Sequence, residues 1–355
     1  MGEEFRVLDA SVPSEREEWV TVWNRWPERE VQAHPEFALL FSHDSERALA
    51  ADYRTGAGTH ILYPFVLREI DSMPGFSGYR DITIPFGYGG PATWGPPASE
   101  AETSSFWAHV DEWAAANGVV SEFIGFGLSK SFDVRYPGEK ILRKPHIVVD
   151  LERSYEDLWS SFDRKVRKNV NKAVRDGITI SVDEDGRDFE AFHDIYFATM
   201  ERHSAAEDFF FPREFFESIH EKLPGQFAYF HAYFEGVPVS TELALVSERS
   251  VYSFLGGTLP AYFPHRPNDL LKVEIMKWGQ AHGKQHFVLG GGVTAGDGIE
   301  RYKRAFAPQG DRDFYTGQRV LDRKAYEFLV AAQGTENTLE EGGPTSFFPA
   351  YRART

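Results

Sequence analysis

The chain of 355 residues contains no cysteine. Disulfides, thiolate nucleophiles and cysteine-ligated metals are therefore excluded. Long apolar runs are also missing, and no segment reaches the length needed to span a bilayer. The first residues, Met1 to Arg6, lack the basic start and apolar stretch of a secretory signal. A cytoplasmic protein is the expectation. Positive charge is scarce: 38 Lys and Arg stand against 54 Asp and Glu, a net charge of -16. Such a chain is repelled by nucleic acid as a whole, so any RNA contact has to be local and small. The 12 His are scattered, without a His-Glu-x-x-His pattern. No Gly-x-Ser-x-Gly elbow is present, which argues against a Ser-His-Asp hydrolase.

Apolar residues make up 42% and aromatic residues 15%, enough to fill two cores and to wall a binding site. Two stretches share one order of elements. In the first, Thr59 to Arg68 reads as a strand, and Pro85 to Pro91 is a Gly-rich corner. A helix over about Ser104 to Asn117 and a strand over Val119 to Phe126 complete it. In the second, Phe227 to Phe234 and Val237 to Val246 read as a hairpin across Glu235-Gly236. Val251 to Leu255 then leads into the corner Gly256-Gly257-Thr258. A helix follows from about Asp269 to His282, with Asn268 as its N-cap, and then a strand over His286 to Leu289. This order points to duplication of one α/β unit, or only to the common look of two α/β units. Boundaries are expected at 1–150 for a first lobe, 151–332 for a second and 333–355 for a polar tail.

Three features bear on chemistry. The corners Gly256-Gly257-Thr258 and Gly290-Gly291-Gly292 let backbone amides approach a ligand, or simply turn the chain; neither is a Walker loop or a dinucleotide fingerprint. The run Arg164 to Arg175 places Val166, Val170 and Val174 on one face of a cationic amphipathic helix. That helix is either a solvated face or a contact for a phosphate-bearing partner through Arg164, Lys165, Arg167 and Lys168. Third, Lys303 beside Tyr302 in a glycine-bounded segment is either a surface lysine or a cation for an oxyanion or phosphate. Glu242 is a charged residue inside an apolar strand, which is costly unless used.

Taken together, these segments resemble the Fem-type (FemABX) aminoacyl transferases and the related GNAT acyltransferases. The matching pieces are Arg164 to Ile178, Gly236 to Ser240, Tyr252 to Thr258, Arg266 to Lys272, Phe287 to Gly292 and Gly298 to Lys303. In the first lobe they are Tyr79 to Ile82 and Phe86 to Pro91. The resemblance implies an α/β (α+β) fold of two tandem GNAT-like lobes with mixed sheets and a cleft between them. It implies transfer of an amino acid from aminoacyl-tRNA to an amine, with no cofactor, and acyl-CoA as the alternative donor. Tyr302-Lys303 is similar to that family's aromatic-lysine pair, which makes Lys303 an oxyanion or tRNA-terminus contact. Arg213 is similar to an arginine that holds the acceptor's phosphate. Glu242 is the first candidate to take the amine proton or hold the ammonium. Asp81, Tyr88, Arg213, Thr258, Arg266, Asn268, Asp269 and Tyr302 are expected to bind substrate, with capping of its own helix as the alternative role of Asp269.

Departures from the family narrow the acceptor. The segment His34 to Phe41 lacks the basic residue found after a Pro-aromatic motif in members acting on nucleotide-linked cell-wall precursors, and a first-lobe carboxylate is replaced around Ala92-Thr93-Trp94. A free amino compound or small peptide, as in specialised metabolism, fits better than a peptidoglycan precursor. A non-catalytic module that keeps the fold is the reading from another class.

Overall fold

A computed structural model of the protein describes residues 2–43, 45–70, 78–292, 294, 296–333 and 347–353. The chain forms two units, one of residues 1–143 with 313–355 and one of residues 144–312. The first unit begins with β1 (Glu4–Asp9), α1 (Pro13–Asn24), α2 (Pro35–Leu40), β2 (Glu46–Arg54) and β3 (His60–Glu69). It continues with β4 (Arg80–Thr83), β5 (Ala92–Trp94), α3 (Glu100–Ala116), β6 (Val119–Gly125) and β7 (Glu139–Leu142). Helix α3 starts four residues before its expected position because Ser99 and Glu102 form a capping box, each side chain bonding the other's backbone N–H.

The second unit holds β8 (His146–Asp150), α4 (Tyr155–Ser161), α5 (Arg164–Arg175), β9 (Thr179–Asp183), α6 (Phe189–Arg202) and α7 (Arg213–Lys222). After these come β10 (Phe227–Phe234), β11 (Val237–Val246), β12 (Ser250–Thr258), α8 (Pro267–Ala281), β13 (His286–Gly290), α9 (Gly298–Arg304) and β14 (Asp311–Arg312). The chain then returns to the first unit as β15 (Tyr315–Val320) and α10 (Arg323–Gln333).

Each unit is built on one sheet. The first runs β1-β2-β3-β4-β6-β15-β7, with β5 beside β3; the second, read from its far edge, runs β9-β10-β11-β12-β13-β8-β14. Position by position the two orders agree, and in each the parallel contact falls at the same place, β4 with β6 and β12 with β13. Every other paired contact along these paths is antiparallel. This supports duplication over chance likeness, and two GNAT-like α/β units in tandem are the fold.

The same comparison explains why the expected boundaries at 150 and 332 differ from those observed. Strand β8 lies before the expected join yet pairs with β13, while β15 and α10 lie in the expected second lobe yet build the first unit. A boundary drawn from composition follows the chain, whereas the sheet borrows a strand from the far end of the sequence. Of the expected polar tail, residues 334–346 and 354–355 lie outside the described residues. The described end is structural: Tyr351 is buried, and its hydroxyl meets Ser121 (2.7 Å) and donates to Asp81 (3.1 Å).

Local chemistry accounts for other details. Glu235 and Gly236 both adopt left-handed backbone (φ 51° and 80°), the conformation of a tight hairpin turn between β10 and β11. In α5 the buried face is Val166, Val170 and Ala173, while Val174 is 59% exposed. Eight residues on from Val166 a helix has turned well off the starting face, and seven residues on it has nearly returned. Helix α8 starts at Pro267, with Arg266 in left-handed conformation as its cap, so Asn268 is the second helical residue and not the N-cap. Gly256-Gly257-Thr258 is the end of strand β12 and not a corner. A Cβ on Gly257 would sit 2.3 Å from Thr199 Oγ1, so this glycine lets α6 pack on the strand.

Asp81 is fully buried in the first unit and is spent on structure. Arg68 donates to it at 2.7 Å, and Arg352 and Tyr351 close the remaining positions. This corrects its expected role in binding substrate, because both oxygens are already taken. Replacing Arg352 with Met should destabilise the protein by about 2 kcal/mol, since a buried carboxylate loses one of two cations. Urea unfolding measures this, and an unchanged midpoint would show that the C-terminal segment contributes nothing to the first unit.

Candidate active site

Strands β12 and β13 run parallel only over Ser250–Tyr252 against His286–Val288. Beyond Tyr252, β12 stays with β11 to Thr258, and the register skips Phe254, a bulge that bends the strand and re-aims its side chains. Along this stretch of β12 lies a cavity of about 380 Å³ on the second unit. Among its lining residues are Glu242 of β11, Ser253 of β12, Asn268 and Lys272 of α8, and Tyr302 and Lys303 of α9.

At its centre is a buried ion pair. Lys272 Nζ donates to Glu242 Oε2 at 2.5 Å and to Ser253 Oγ at 2.8 Å, with the two charged residues 7% and 3% exposed. Glu242 Oε1 is buried and has no hydrogen-bond partner among the described residues. Lys272 also sits 5.7 Å over the ring of Phe287. Breaking such a pair strands a buried charge, so its geometry is held tightly.

Lys303 Nζ donates to the Gly291 carbonyl at 2.7 Å. Burial, reinforced by the positive charge of Lys272, pushes its pKa down to about 8, against the opposing pull of Glu242 and Asp297. Tyr302 accepts a hydrogen bond from Asn268 Nδ2 at 2.9 Å. Burial and the negative charges of Asp269 and Glu242 hold its phenol well above the ordinary range. Asp269 is buried and accepts from Asn169 Nδ2 of α5 at 3.0 Å. Burial raises its pKa, opposed by that bond and by the charges of Arg266 and Lys165. Thr258 lies 2.7 Å from Ser240 Oγ, and its carbonyl accepts from Arg202.

Lys303, Glu242, Asn268, Tyr302 and Thr258 are thus brought to one cavity. Asp269 and Arg266 stand at the start of the helix that carries Asn268. Arg164, Lys165 and Lys168 are exposed on α5, without a hydrogen-bond or ion-pair partner among the described residues. Arg167 departs from expectation: its guanidinium donates to the carbonyls of Trp159, Ser160 and Phe162, closing the C-terminal end of α4. Arg213 departs too. Its two Nη atoms fork onto the Glu190 carboxylate at 2.7 and 2.8 Å, so the fork expected to grip a phosphate is occupied. Asp81 and Tyr88 belong to the first unit, where Tyr88 packs edge-on against Phe314 and burial raises its phenol pKa. Lys272 and Ser253 are site residues that sequence reasoning passed over. The available signal was a lysine set among Leu270, Leu271, Val273, Ile275 and Met276, where a charge is costly unless paired.

Among the described residues, no group of three or more His, Asp or Glu could hold a metal ion. No helix among them is long and apolar enough to cross a membrane.

Residues 160–304 match the family described as Acetyltransferase (GNAT) domain. A search of curated proteins finds no match. Among solved structures, FemX is similar with a TM-score of 0.62 at 14% identity, covering 88% of this chain and 98% of that one. L-PGS from Bacillus licheniformis is similar with a TM-score of 0.55 at 12% identity, over 87% of this chain and 92% of that one. The C-terminal domain of a protein assigned as a lysylphosphatidylglycerol synthetase from Agrobacterium fabrum has a TM-score of 0.53 at 14% identity, over 85% and 92%. At these identities the structures establish the fold. The matched segment lies wholly within the second unit and supports an acyltransferase.

The depressed pKa of Lys303 has a checkable consequence. Between pH about 8 and the ordinary lysine value, the unfolded chain holds a proton there that the folded chain has lost. This group therefore makes stability rise with pH across that window, and Lys303→Met should abolish its contribution. Nitrogen NMR of the Lys303 amine should titrate near pH 8; titration at the ordinary lysine value would refute the buried setting.

Proposed function

We propose that the protein forms an amide bond by transferring the aminoacyl group of an aminoacyl-tRNA to the amine of a small molecule or peptide. The observation that carries this reading is the cavity itself. It sets the half-buried Lys303, with its depressed pKa, beside a carboxylate with one unpaired oxygen, in the unit that contains the acyltransferase match. The amine nitrogen attacks the ester carbonyl carbon, forming the C–N bond and an oxyanion. Collapse breaks the C–O bond, and the proton lost by nitrogen ends on the departing ribose oxygen. Lys303, in its charged form, donates to the oxyanion or to the neighbouring tRNA terminus, and Glu242 receives the amine proton or holds the ammonium. The ester is already activated, so positioning and oxyanion stabilisation supply most of the acceleration.

Two features favour tRNA over acyl-CoA. The first residue of α8, Pro267, has no N–H, and Asp269 puts a carboxylate at the third position, where it accepts from its own backbone N–H. That end is poorly suited to the pyrophosphate that a free helix N-terminus would bind. Conversely, Arg164, Lys165 and Lys168 lie on α5, which is bonded through Asn169 to the start of α8. One structure sharing this fold is assigned by name to synthesis of a lysyl conjugate, which accords with an aminoacyl donor. On the acceptor side, the occupied Arg213 fits a substrate without a phosphate, in place of a peptidoglycan precursor. A tRNA donor places the reaction in the cytoplasm.

The test offers charged tRNA pools or acyl-CoAs together with candidate amines, with and without ribonuclease. Transfer should depend on charged tRNA and stop on ribonuclease treatment; insensitive transfer excludes the tRNA donor. Lys303→Ala should lower turnover at least tenfold with the fold retained, the lower range for a lost oxyanion donor. With Lys303 acting as a cation, kcat should fall as pH rises through about 8. Near-normal turnover of Lys303→Ala removes it from the chemistry.

A further inference from the structure

We infer that Lys272 is a positioning residue for two groups at the cavity: it fixes Glu242 through Oε2, leaving the buried Oε1 to accept from the substrate ammonium, and it leaves the Ser253 hydroxyl to serve as a second donor to the oxyanion. The inference rests on the amide-forming reaction proposed above and adds two residues to it.

An ammonium group has three donors and no acceptor. Lys272 spends one on Glu242 Oε2 and one on Ser253 Oγ. The first bond leaves the carboxylate anchored by one oxygen, so that Oε1 stays without a partner among the described residues although it is buried. A buried carboxylate oxygen with no donor is costly, and a ligand that donates to it relieves the cost. The second bond occupies a lone pair on Ser253, so the single hydroxyl proton cannot point back at Lys272 and must be donated elsewhere. Ser253 lines the cavity next to the bulge at Phe254. The two strands and the helix that carry Glu242, Ser253 and Lys272 make this a preorganised donor and acceptor set, as oxyanion stabilisation requires.

A structural ion pair would be expected to satisfy both carboxylate oxygens, since partial satisfaction forfeits much of the benefit of burying the charges. Here one buried oxygen is left without a partner among the described residues, on a side chain that lines the cavity together with Lys303. The ligand class that completes the set is a primary ammonium lying beside a carbonyl.

The test combines kinetics with a direct view of the lysine. In the intact protein, the Lys272 ammonium should give a slowly exchanging nitrogen-proton NMR signal, lost in Glu242→Gln; its absence from the wild type overturns the inference. Ser253→Ala should lower kcat about a hundredfold, as for removal of one oxyanion donor, with little change in KM for the amine. Ser253→Thr, which keeps the hydroxyl, should restore kcat to within about threefold, and Glu242→Gln should act mainly on KM for the amine. Because Lys272→Met alone strands a buried carboxylate, the combination Lys272→Met with Glu242→Gln serves as a charge-neutral form. Adding Ser253→Ala to that form should change kcat by less than about threefold, because the hydroxyl is no longer aimed. A full hundredfold loss there, or an unchanged kcat in Ser253→Ala alone, overturns the role of Lys272. A wild type that shows the Lys272 signal but makes no amide from any donor instead overturns the reaction on which the inference rests.

Discussion

Parallel strands β12 and β13 hold together for three residues and then part, and the second unit is arranged around that parting. A strand that leaves its neighbour exposes a row of backbone groups and a wedge of space, and something has to fill or use them. On β12 the bulge at Phe254 keeps pairing with β11 intact while re-aiming Ser253 and its neighbours. Helix α8 must cross from the end of β12 to the start of β13, which brings Lys272 against the wedge. Helix α9 contributes Tyr302 and Lys303. The site is thus a consequence of sheet geometry, with charged side chains placed where a sheet would otherwise be closed.

Those charges are hard to justify as stability. A buried Lys–Glu pair loses hydration on both sides, and an apolar pair of similar volume is often as stable or more so. Lys303 raises the cost further, since a second cation near Lys272 depresses its own pKa. A cluster that disfavours its own charging is expected where a proton or a developing negative charge has to be handled near neutral pH. Its retention in an otherwise apolar region is therefore an argument for chemistry.

How much of this was legible depended on whether the signal was local. The hairpin through Glu235-Gly236, the helix over 267–281 and the strand at 286–290 follow from turn chemistry and periodicity, and those expectations agree with the structure to within a few residues. The face of α5 was misjudged by one position, Val174 for Ala173, because valine looks like core and alanine does not. Partners were illegible. The sequence cannot show that Glu190 faces Arg213 across 23 residues, that Arg352 reaches Asp81 across 271, or that β15 completes the first sheet. Lys272 was visible as a misplaced charge, but only the fold supplies Glu242 and Ser253 as its companions.

The two units share a strand order yet treat their buried acids differently. In the first unit Glu122 is fully buried on β6, and its oxygens accept from the Tyr63 and Tyr136 hydroxyls and from Arg319. Asp81 is closed in the same manner by two arginines and a tyrosine. Both acids hold their unit together and leave no open oxygen. On β11 of the second unit, Glu242 lines a cavity, with one oxygen fixed by Lys272 and the other buried without a partner among the described residues. Glu122 and Glu242 are not positional counterparts, so the contrast is one of use: a sealed acid serves as a strut, an open one waits for a donor. The acyltransferase match covers 160–304, the region that contains the open acid. A unit whose buried acids are closed with tyrosine and arginine has no lone pair left to offer a ligand, whereas a buried carboxylate oxygen without a partner gains by accepting a donor.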